Sequence, residues 1–334
     1  MRLLVTGGAG YVGSHTVRLL LEAGHDVVVY DNLVYGHRAA VPCPLVVGEL
    51  ADQERLAATL ARGRFDAVLH FAAYAYVGES VADPAKYYRN NVAGGLALLD
   101  AMRAHGVDCI VFSSTCATYG EPARLPITED TPQLPTNPYG ETKLAFERAL
   151  RWYGRAYGLR SVSLRYFNAA GAQPDGTLGE DHTPETHLIP LVLRVALGQA
   201  PHVEIYGTDY PTPDGTCLRD YVHVVDLAAA HLLALEAMAA PGVALAYNLG
   251  AGRGYSVREV IAACERVTGQ RIPVVETARR PGDPPALYAD NRRARTELGW
   301  TPRLSDLDTI VATAWEWHRR HPAGFGDALA AASG

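Results

Sequence analysis

Cysteine is sparse in this chain. Its 334 residues include five, Cys43, Cys109, Cys116, Cys217 and Cys264, an odd number, far apart and without a C-x-x-C pair. That excludes a disulfide scaffold and reads as buried or idle thiols in a reducing compartment. Positive charge is not in surplus: 30 basic residues stand against 36 acidic ones, a net of −6. The balance argues against a nucleic-acid partner, yet leaves room for one anionic ligand gripped by a few local arginines. No apolar run approaches the roughly 20 residues of a membrane span. Arg2 is followed only by Leu3, Leu4 and Val5 before glycines intervene, which makes no signal peptide. The expectation is a soluble, cytoplasmic protein with no membrane partner. Internal repeats and low-complexity tracts are missing as well. What is present is ordinary globular composition, 48% apolar and 20% charged, at a length that suggests two domains.

The first half alternates two textures. Short β-branched runs occur at Arg2–Thr6, Asp26–Tyr30, Leu45–Val47, Ala67–Phe71, Cys109–Ser113 and Ser161–Phe167. Between them lie amphipathic stretches, Ser14–Ala23, Asp52–Arg62, Pro84–His105 and Pro138–Tyr157. Strands alternating with helices of this length predict βαβ units and a parallel sheet. The continuous apolar run Val27–Val29 fits a strand covered on both faces. The expected fold is α/β: a doubly wound parallel sheet (Rossmann type) over residues 1–170, with a later return of the chain near 217–250. A smaller α/β substrate-binding domain is expected over 171–330. There, Ala172–Thr186 and Tyr206–Thr216 are rich in Pro, Gly, Asp and Thr and read as long, ligand-facing loops. Around them stand helices at Leu188–Leu197, Asp226–Met238 and Ser256–Thr268 and a strand at Leu245–Leu249.

Gly7, Gly10 and Gly13 have G-x-x-G-x-x-G spacing directly after the first strand and open the first helix. Small residues let the backbone approach a pyrophosphate, and the helix N-terminus supplies oriented N–H groups. Asp31 follows at the end of the second strand, where a carboxylate accepts hydrogen bonds from a ribose diol. The same charge repels a 2′-phosphate, so the expected cofactor is NAD.

Asn137 and Pro138 make a helix start, with Asn as cap and Pro at the first helical position. Tyr139 and Lys143 then stand at i and i+4 on one face. A phenol is a poor base at neutral pH. A nearby ammonium, the helix N-terminus and a positive nicotinamide ring each favour the phenolate, which makes Tyr139 a candidate general base. Hydroxyls at Ser113, Ser114 and Thr115 end a strand, and Thr115 is the candidate to share a hydrogen bond with the substrate oxygen.

These features, with Asn91, resemble the extended short-chain dehydrogenase/reductase superfamily. More narrowly, the chain resembles the UDP-glucose 4-epimerase family from end to end. The matching runs are TGGAGYVGSH (6–15), VGESV (77–81), FSSTCATYG (112–120), NPYGETK (137–143), RYFNAAGA (165–172), HLIP (187–190), GTDYPTPDGTCLRDYVHV (207–224) and RRPGD (279–283). The resemblance implies NAD retained through turnover, Tyr139 as base, and a 4-keto sugar that turns within the pocket before it is reduced on its other face. The implied reaction is inversion at C4 of a UDP-hexose, UDP-galactose to UDP-glucose. Cofactor contacts are implied for Gly7, Gly10, Tyr11, Val12, Gly13, Asp31, Asn32, Glu49, Leu50, Phe71, Ala72, Ala73, Asn91, Ser113, Tyr139, Lys143 and Tyr166. On the substrate side, Asn168 would hold the sugar diphosphate, and Leu188 and Tyr206 would flank the uridine. Arg219, Arg280 and Asp283 would hold phosphates and ribose, since an arginine fork suits phosphate oxygens. Tyr221 and His187 would line the pocket, His187 where relatives place an amide, and Leu287 would occupy a gate position. A homodimer through a four-helix bundle is implied, built from the helices at 84–105 and 138–157.

Some positions depart from the family. Thr115 stands where a serine is frequent, and Ala75 where many members carry a cofactor-contacting lysine, so no lysine role is transferred. The segments around Tyr74–Tyr76 and 112–122 also resemble UDP-arabinose/UDP-xylose 4-epimerases, which makes a UDP-pentose the competing substrate. A dehydratase needs a carboxylate pair beside the strand-end hydroxyl, and Cys116, Ala117 and Thr118 stand there instead. A net dehydrogenase would need free exchange of NAD. No metal is expected: His182 and His187 are close in sequence but lack a third ligand at zinc spacing.

Overall fold

In the computed structural model, which describes residues 1–238, 241–280 and 282–326, seven short segments form one parallel sheet. They are β1 (Arg2–Thr6), β2 (Asp26–Asp31), β3 (Leu45–Val47), β4 (Ala67–His70), β5 (Cys109–Thr115), β6 (Arg160–Tyr166) and β7 (Ala244–Leu249). Their spatial order is β7-β6-β5-β4-β1-β2-β3. Every pair is parallel, with Leu3 opposite Val27 in β2 and Ala67 in β4. The order reverses direction at β1, so the crevice beyond the carboxyl ends of β1 and β4 is where this topology opens a ligand site.

Both faces of the sheet are covered, which is why its strands read as continuous apolar runs. Leu3, Val5, Val27, Val29, Leu69 and Val111 point to one side, against Val17 and Leu20 of the Tyr11–Glu22 helix and Leu227, Ala230 and Ala234 of the Val224–Ala237 helix. The alternate residues Leu4, Val28, Val68, Ile110 and Phe112 point to the other. They meet Leu56 and Leu60 of Gln53–Gly63, Leu98 and Met102 of Gly95–Ala104, and Phe146 and Leu150 of Pro138–Tyr157. Truncating one such side chain to alanine costs about 2–5 kcal/mol. The first core also takes Val222, Leu249, Ala294, Leu298 and Trp300 from the second half of the chain.

Another core joins three helices, Leu188–Ala196, Val257–Thr268 and Leu307–Arg320, through Ile189, Val192, Leu193, Val260, Ile261, Ile310 and Val311. A parallel pair, Val203–Tyr206 with Val274–Thr277, lies against it. The segment 171–187 has no helix or strand yet is packed, with Ala172, Leu178 and Glu180 buried. Residues 327–330 of the expected second domain, and Pro281 in the 279–283 run, lie outside the described residues.

Two expectations are corrected. The first helix begins at Tyr11, not Ser14, because the glycine turn leads straight into it. The stretch expected as one helix over 84–105 is Pro84–Tyr87 and Gly95–Ala104 joined by a π-helical turn, Tyr88–Gly94. The extra residue of that turn carries Asn91 inward: its Oδ1 accepts from Tyr74 N (2.9 Å) and its Nδ2 donates to Tyr74 O (3.0 Å) and Thr142 Oγ1 (3.1 Å).

Candidate active site

The glycine turn after β1 is built for close approach. Gly7 has φ +74°, and a Cβ there would stand 2.4 Å from Ala72 N; one on Gly13 would stand 2.2 Å from Gly7 O. Gly10 differs: a Cβ on it would meet only Gly7 O, at 3.5 Å, so it borders open space. Gly10 is also the N-cap of the Tyr11–Glu22 helix and offers no side-chain cap. The first-turn amides therefore remain open to an anion.

Asp31, at the end of β2, is buried; its Oδ2 accepts from Ala9 N (3.0 Å) and its Oδ1 from Leu33 N (2.8 Å). Burial pushes its pKa up, opposed by those two amides. Beside it, Asn32 Nδ2 donates to Glu49 (3.1 Å), and Leu50 is buried. Phe71 and Ala72 leave β4 with both amides bonded to Thr6 O (2.8 and 3.0 Å), and the wall runs on through Ala73 to Tyr74, which Asn91 pins. Tyr11 donates its phenol to Gly171 O (2.5 Å), and Val12 packs on the core. An open glycine corner, uncapped amides and a carboxylate at the next strand end fit a dinucleotide with a free ribose diol.

The second wall is the start of the Pro138–Tyr157 helix. Asn137 caps it, accepting from Gly140 N (2.9 Å), with Pro138 at the first turn. A Cβ on Gly140 would stand 2.5 Å from Ala117 O, so the glycine lets the helix start press against the turn that follows β5. This brings Tyr139 to Thr115, whose hydroxyl contact favours the phenolate. Burial outweighs that contact and pushes the Tyr139 pKa up to about 12. Lys143 is itself buried and donates from Nζ to Ser113 O (2.7 Å), with Nζ 5.9 Å from the Tyr139 ring centre. Burial lowers its pKa to about 7, with Glu147 acting in the opposite direction. In the protein by itself, burial governs both groups and opposes the pull expected from the ammonium.

A buried network behind Lys143 was not anticipated from the sequence. Glu147 accepts from Ser114 Oγ (2.5 Å), pairs with Arg165 (2.7 Å) and accepts from Gln133 (3.2 Å). Arg165 continues to Tyr119 OH (2.7 Å), which donates to Asn248 Oδ1 (2.7 Å). Lys143 and Glu147 one helical turn apart were the available signal. Tyr166, on β6, is buried with its hydroxyl against His231 Nε2 (2.7 Å).

The remaining residues gather in smaller groups. Strand Leu218–Arg219 runs beside Ala286–Leu287, which sets Leu287 opposite Arg219. Arg219 donates to Pro284 O (2.9 Å) and lies 3.5 Å from Asp283. Arg280 stacks over the Tyr206 ring, 3.8 Å from its centre. Asn168 begins a strand, Asn168–Ala170, paired with Tyr221–His223, and Tyr221 is buried in the helical core. Leu188 opens the Leu188–Ala196 helix with His187 at its N-cap. His187 Nδ1 is turned to Glu185 (2.9 Å) and Glu180 (2.8 Å). Asp220 was also missed: fully buried, it accepts from Ala251 N (2.7 Å), Gly252 N (3.0 Å) and Ala289 N (3.0 Å), tying these strands together.

A doubly wound sheet, a glycine cradle and a Tyr–Lys–hydroxyl group at the ends of its strands define the class of dinucleotide-dependent short-chain enzymes. The model of the NAD dependent epimerase/dehydratase family matches residues 3–250, and the chain belongs to that family. It is 53% identical over 329 residues to a UDP-glucose 4-epimerase of Lacticaseibacillus casei, covering 98% of this chain and 99% of the relative. A crystal structure of UDP-glucose 4-epimerase from Brucella ovis in complex with NAD superposes with TM-score 0.91 at 56% identity, covering 94% of this chain and 97% of that one. That of Bifidobacterium longum UDP-glucose 4-epimerase, in complex with NAD+ and UDP, gives TM-score 0.93 at 43% identity, covering 97% and 100%.

Proposed function

We propose that this chain is a UDP-glucose 4-epimerase that inverts C4 of a UDP-hexose, interconverting UDP-galactose and UDP-glucose with retained NAD. The observation that carries the reading is Tyr139, Thr115 and Lys143 brought together at the carboxyl end of β5 in a chain that shares the family's full length. Gly7, Gly10, Gly13 and the open amides after them hold the cofactor diphosphate, and Asp31 holds the adenosine ribose. Bound there, NAD supplies a reversible acceptor for the C4 hydrogen with its electron pair, and a positive ring charge beside Tyr139. Tyr139 Oη takes the proton of the sugar 4-hydroxyl and later returns it. The Thr115 hydroxyl shares the sugar oxygen. Lys143 fixes the helix face through Ser113 O and adds charge when protonated. Asn168 holds the sugar diphosphate, Arg219, Arg280 and Asp283 hold phosphates and ribose, and Leu188 and Tyr206 flank the uridine, so the keto sugar turns without leaving.

In this reading residues 1–170, with the return at 217–250, carry the cofactor and residues 171–330 the sugar nucleotide. Two copies pair through the 84–105 stretch and the 138–157 helix, where Tyr88 and Trp152 are 45% and 64% exposed. Among the described residues no helix is long and apolar enough to cross a membrane. We place the enzyme in the cytoplasm, a reducing compartment that suits its five free cysteines.

The test is proton NMR of the anomeric region while purified protein acts on UDP-galactose without added NAD. UDP-glucose appearing to equilibrium is the expected result. No conversion by protein that contains NAD overturns the hexose reading, and turnover of UDP-arabinose or UDP-xylose would then assign a pentose substrate.

A further inference from the structure

Two histidines and two carboxylates from the packed 171–187 segment converge on one point. Donor atoms of Glu180, His182, Glu185 and His187 all lie within 4.8 Å of one another. Glu180 Oε1 stands 2.8 Å from His187 Nδ1 and 3.1 Å from His182 Nδ1; Glu185 approaches the same nitrogens at 2.9 and 3.6 Å. Aligned hydrogen bonds account for only part of this convergence. His187 Nδ1 aligns with Glu185, which also accepts from the amides of Thr186 and His187 (2.7 and 2.8 Å). Glu180 Oε1 and His182 Nδ1, both buried, meet at 3.1 Å as an ion pair without an aligned hydrogen bond. Ligands held tetrahedrally at about 2.0–2.1 Å from a zinc ion are about 3.3 Å apart. The four histidine–carboxylate spacings, 2.8–3.6 Å, bracket that value, while the full set spans 4.8 Å and would draw in on an ion; two imidazoles with two carboxylates suit zinc better than a hard, oxygen-seeking cation.

We propose that Glu180, His182, Glu185 and His187 form a structural Zn²⁺ site that locks the 171–187 segment over the mouth of the cofactor cradle. Four protein donors close the tetrahedron, which is the pattern of structural rather than catalytic zinc. The segment is held on several sides. Trp317 Nε1 donates to Glu180 O (3.1 Å), Phe325 N donates to Asp181 Oδ2 (2.8 Å), and His37 Nε2 meets Asp181 O (3.0 Å). Tyr11 and Tyr76 set their rings edge-on to His182, each 6.1 Å away. The ion ties the far end of this segment, where it enters the Leu188–Ala196 helix, to the wall that Tyr11 shares with the glycine turn.

The test uses the full chain stripped with EDTA, reloaded with ZnCl₂ or CoCl₂, and assayed by elemental analysis and visible absorption. The expected result is about one Zn²⁺ per chain and the intense d–d bands of four-coordinate Co²⁺. His182→Gln and Glu180→Gln should each weaken Zn²⁺ at least about tenfold. The site is overturned if the wild-type chain takes up neither ion at micromolar concentration. It is equally overturned by a six-coordinate Co²⁺ spectrum, or by variants that bind as tightly as wild type. Should a variant not fold, the wild-type Co²⁺ spectrum decides alone.

Discussion

Lys143 Nζ donates to Ser113 O across 2.7 Å and lies 5.9 Å from the centre of the Tyr139 ring, so its main partner is a backbone carbonyl rather than the phenol. Burial lowers its pKa to about 7, against about 10.4 for a free lysine. Between those values the unfolded chain holds one proton more than the native one, so this residue makes stability rise with pH across that window. Below about pH 7 both states are protonated and the contribution is flat. Lys143→Met removes the term. Melting temperatures of variant and wild type, compared from pH 7 to 10, should shift in favour of wild type as pH rises; a difference that does not change with pH would refute the buried, readily neutralised amine. Tyr139 carries the opposite burden, since burial holds its pKa at about 12. Tyr139→Phe removes the proton acceptor and leaves the glycine cradle untouched. Turnover of UDP-galactose should fall by about 10²–10⁴-fold while the purified variant keeps its NAD; full turnover would remove Tyr139 as the base.

At the scale of elements, what the sequence made legible was what local pattern encodes. The alternation of β-branched and amphipathic stretches led to the parallel sheet, and the Asn137–Pro138 start led to the helix that presents Tyr139 and Lys143. The π-helical turn at Tyr88–Gly94 was hidden, because 84–105 is periodic enough to read as one helix and only the inward Asn91 contacts reveal the extra residue. The strands Val203–Tyr206 and Val274–Thr277 were hidden for another reason: each is short, and its partner lies about 70 residues away. The Leu307–Arg320 helix was within reach, with Asp306 capping Thr309 N (2.9 Å) and Leu307, Ile310, Val311, Ala314 and Trp317 at helical spacing on its buried face. At the site, the fold brings Arg219 from one run beside Asp283 from another and opposite Leu287. Groups that act through burial, Glu147 with Arg165 and Asp220, were illegible, because a charge at low exposure is a property of the packed fold rather than of spacing. The histidine–glutamate group shows the limit of searching by ligand type alone: His182 and His187 were considered without the carboxylates beside them in the same loop.

For the whole molecule, the helical elements at 77–82, 84–104 and 138–157 have one face in the core and another in water. Val77, Val81, Tyr88 and Trp152 are 46%, 62%, 45% and 64% exposed, all on the Val77–Ala82 helix, the 84–104 stretch or the Pro138–Tyr157 helix. Large apolar side chains scattered singly are normal on a surface; a group on neighbouring elements points to a covered face. A second copy laying the same helices against these would bury them, and would brace the helix that positions Tyr139 from its outer side. Trp152→Glu tests this with little cost to the monomer, since the side chain packs mainly beside Arg155, 5.1 Å from the ring centre. Sedimentation at micromolar concentration should give a dimer mass for wild type and a monomer mass for Trp152→Glu. Val274→Glu, 39% exposed at a strand remote from these helices, should keep the dimer. A wild-type monomer would remove the bundle outright, and a Trp152→Glu dimer would move the interface to another face.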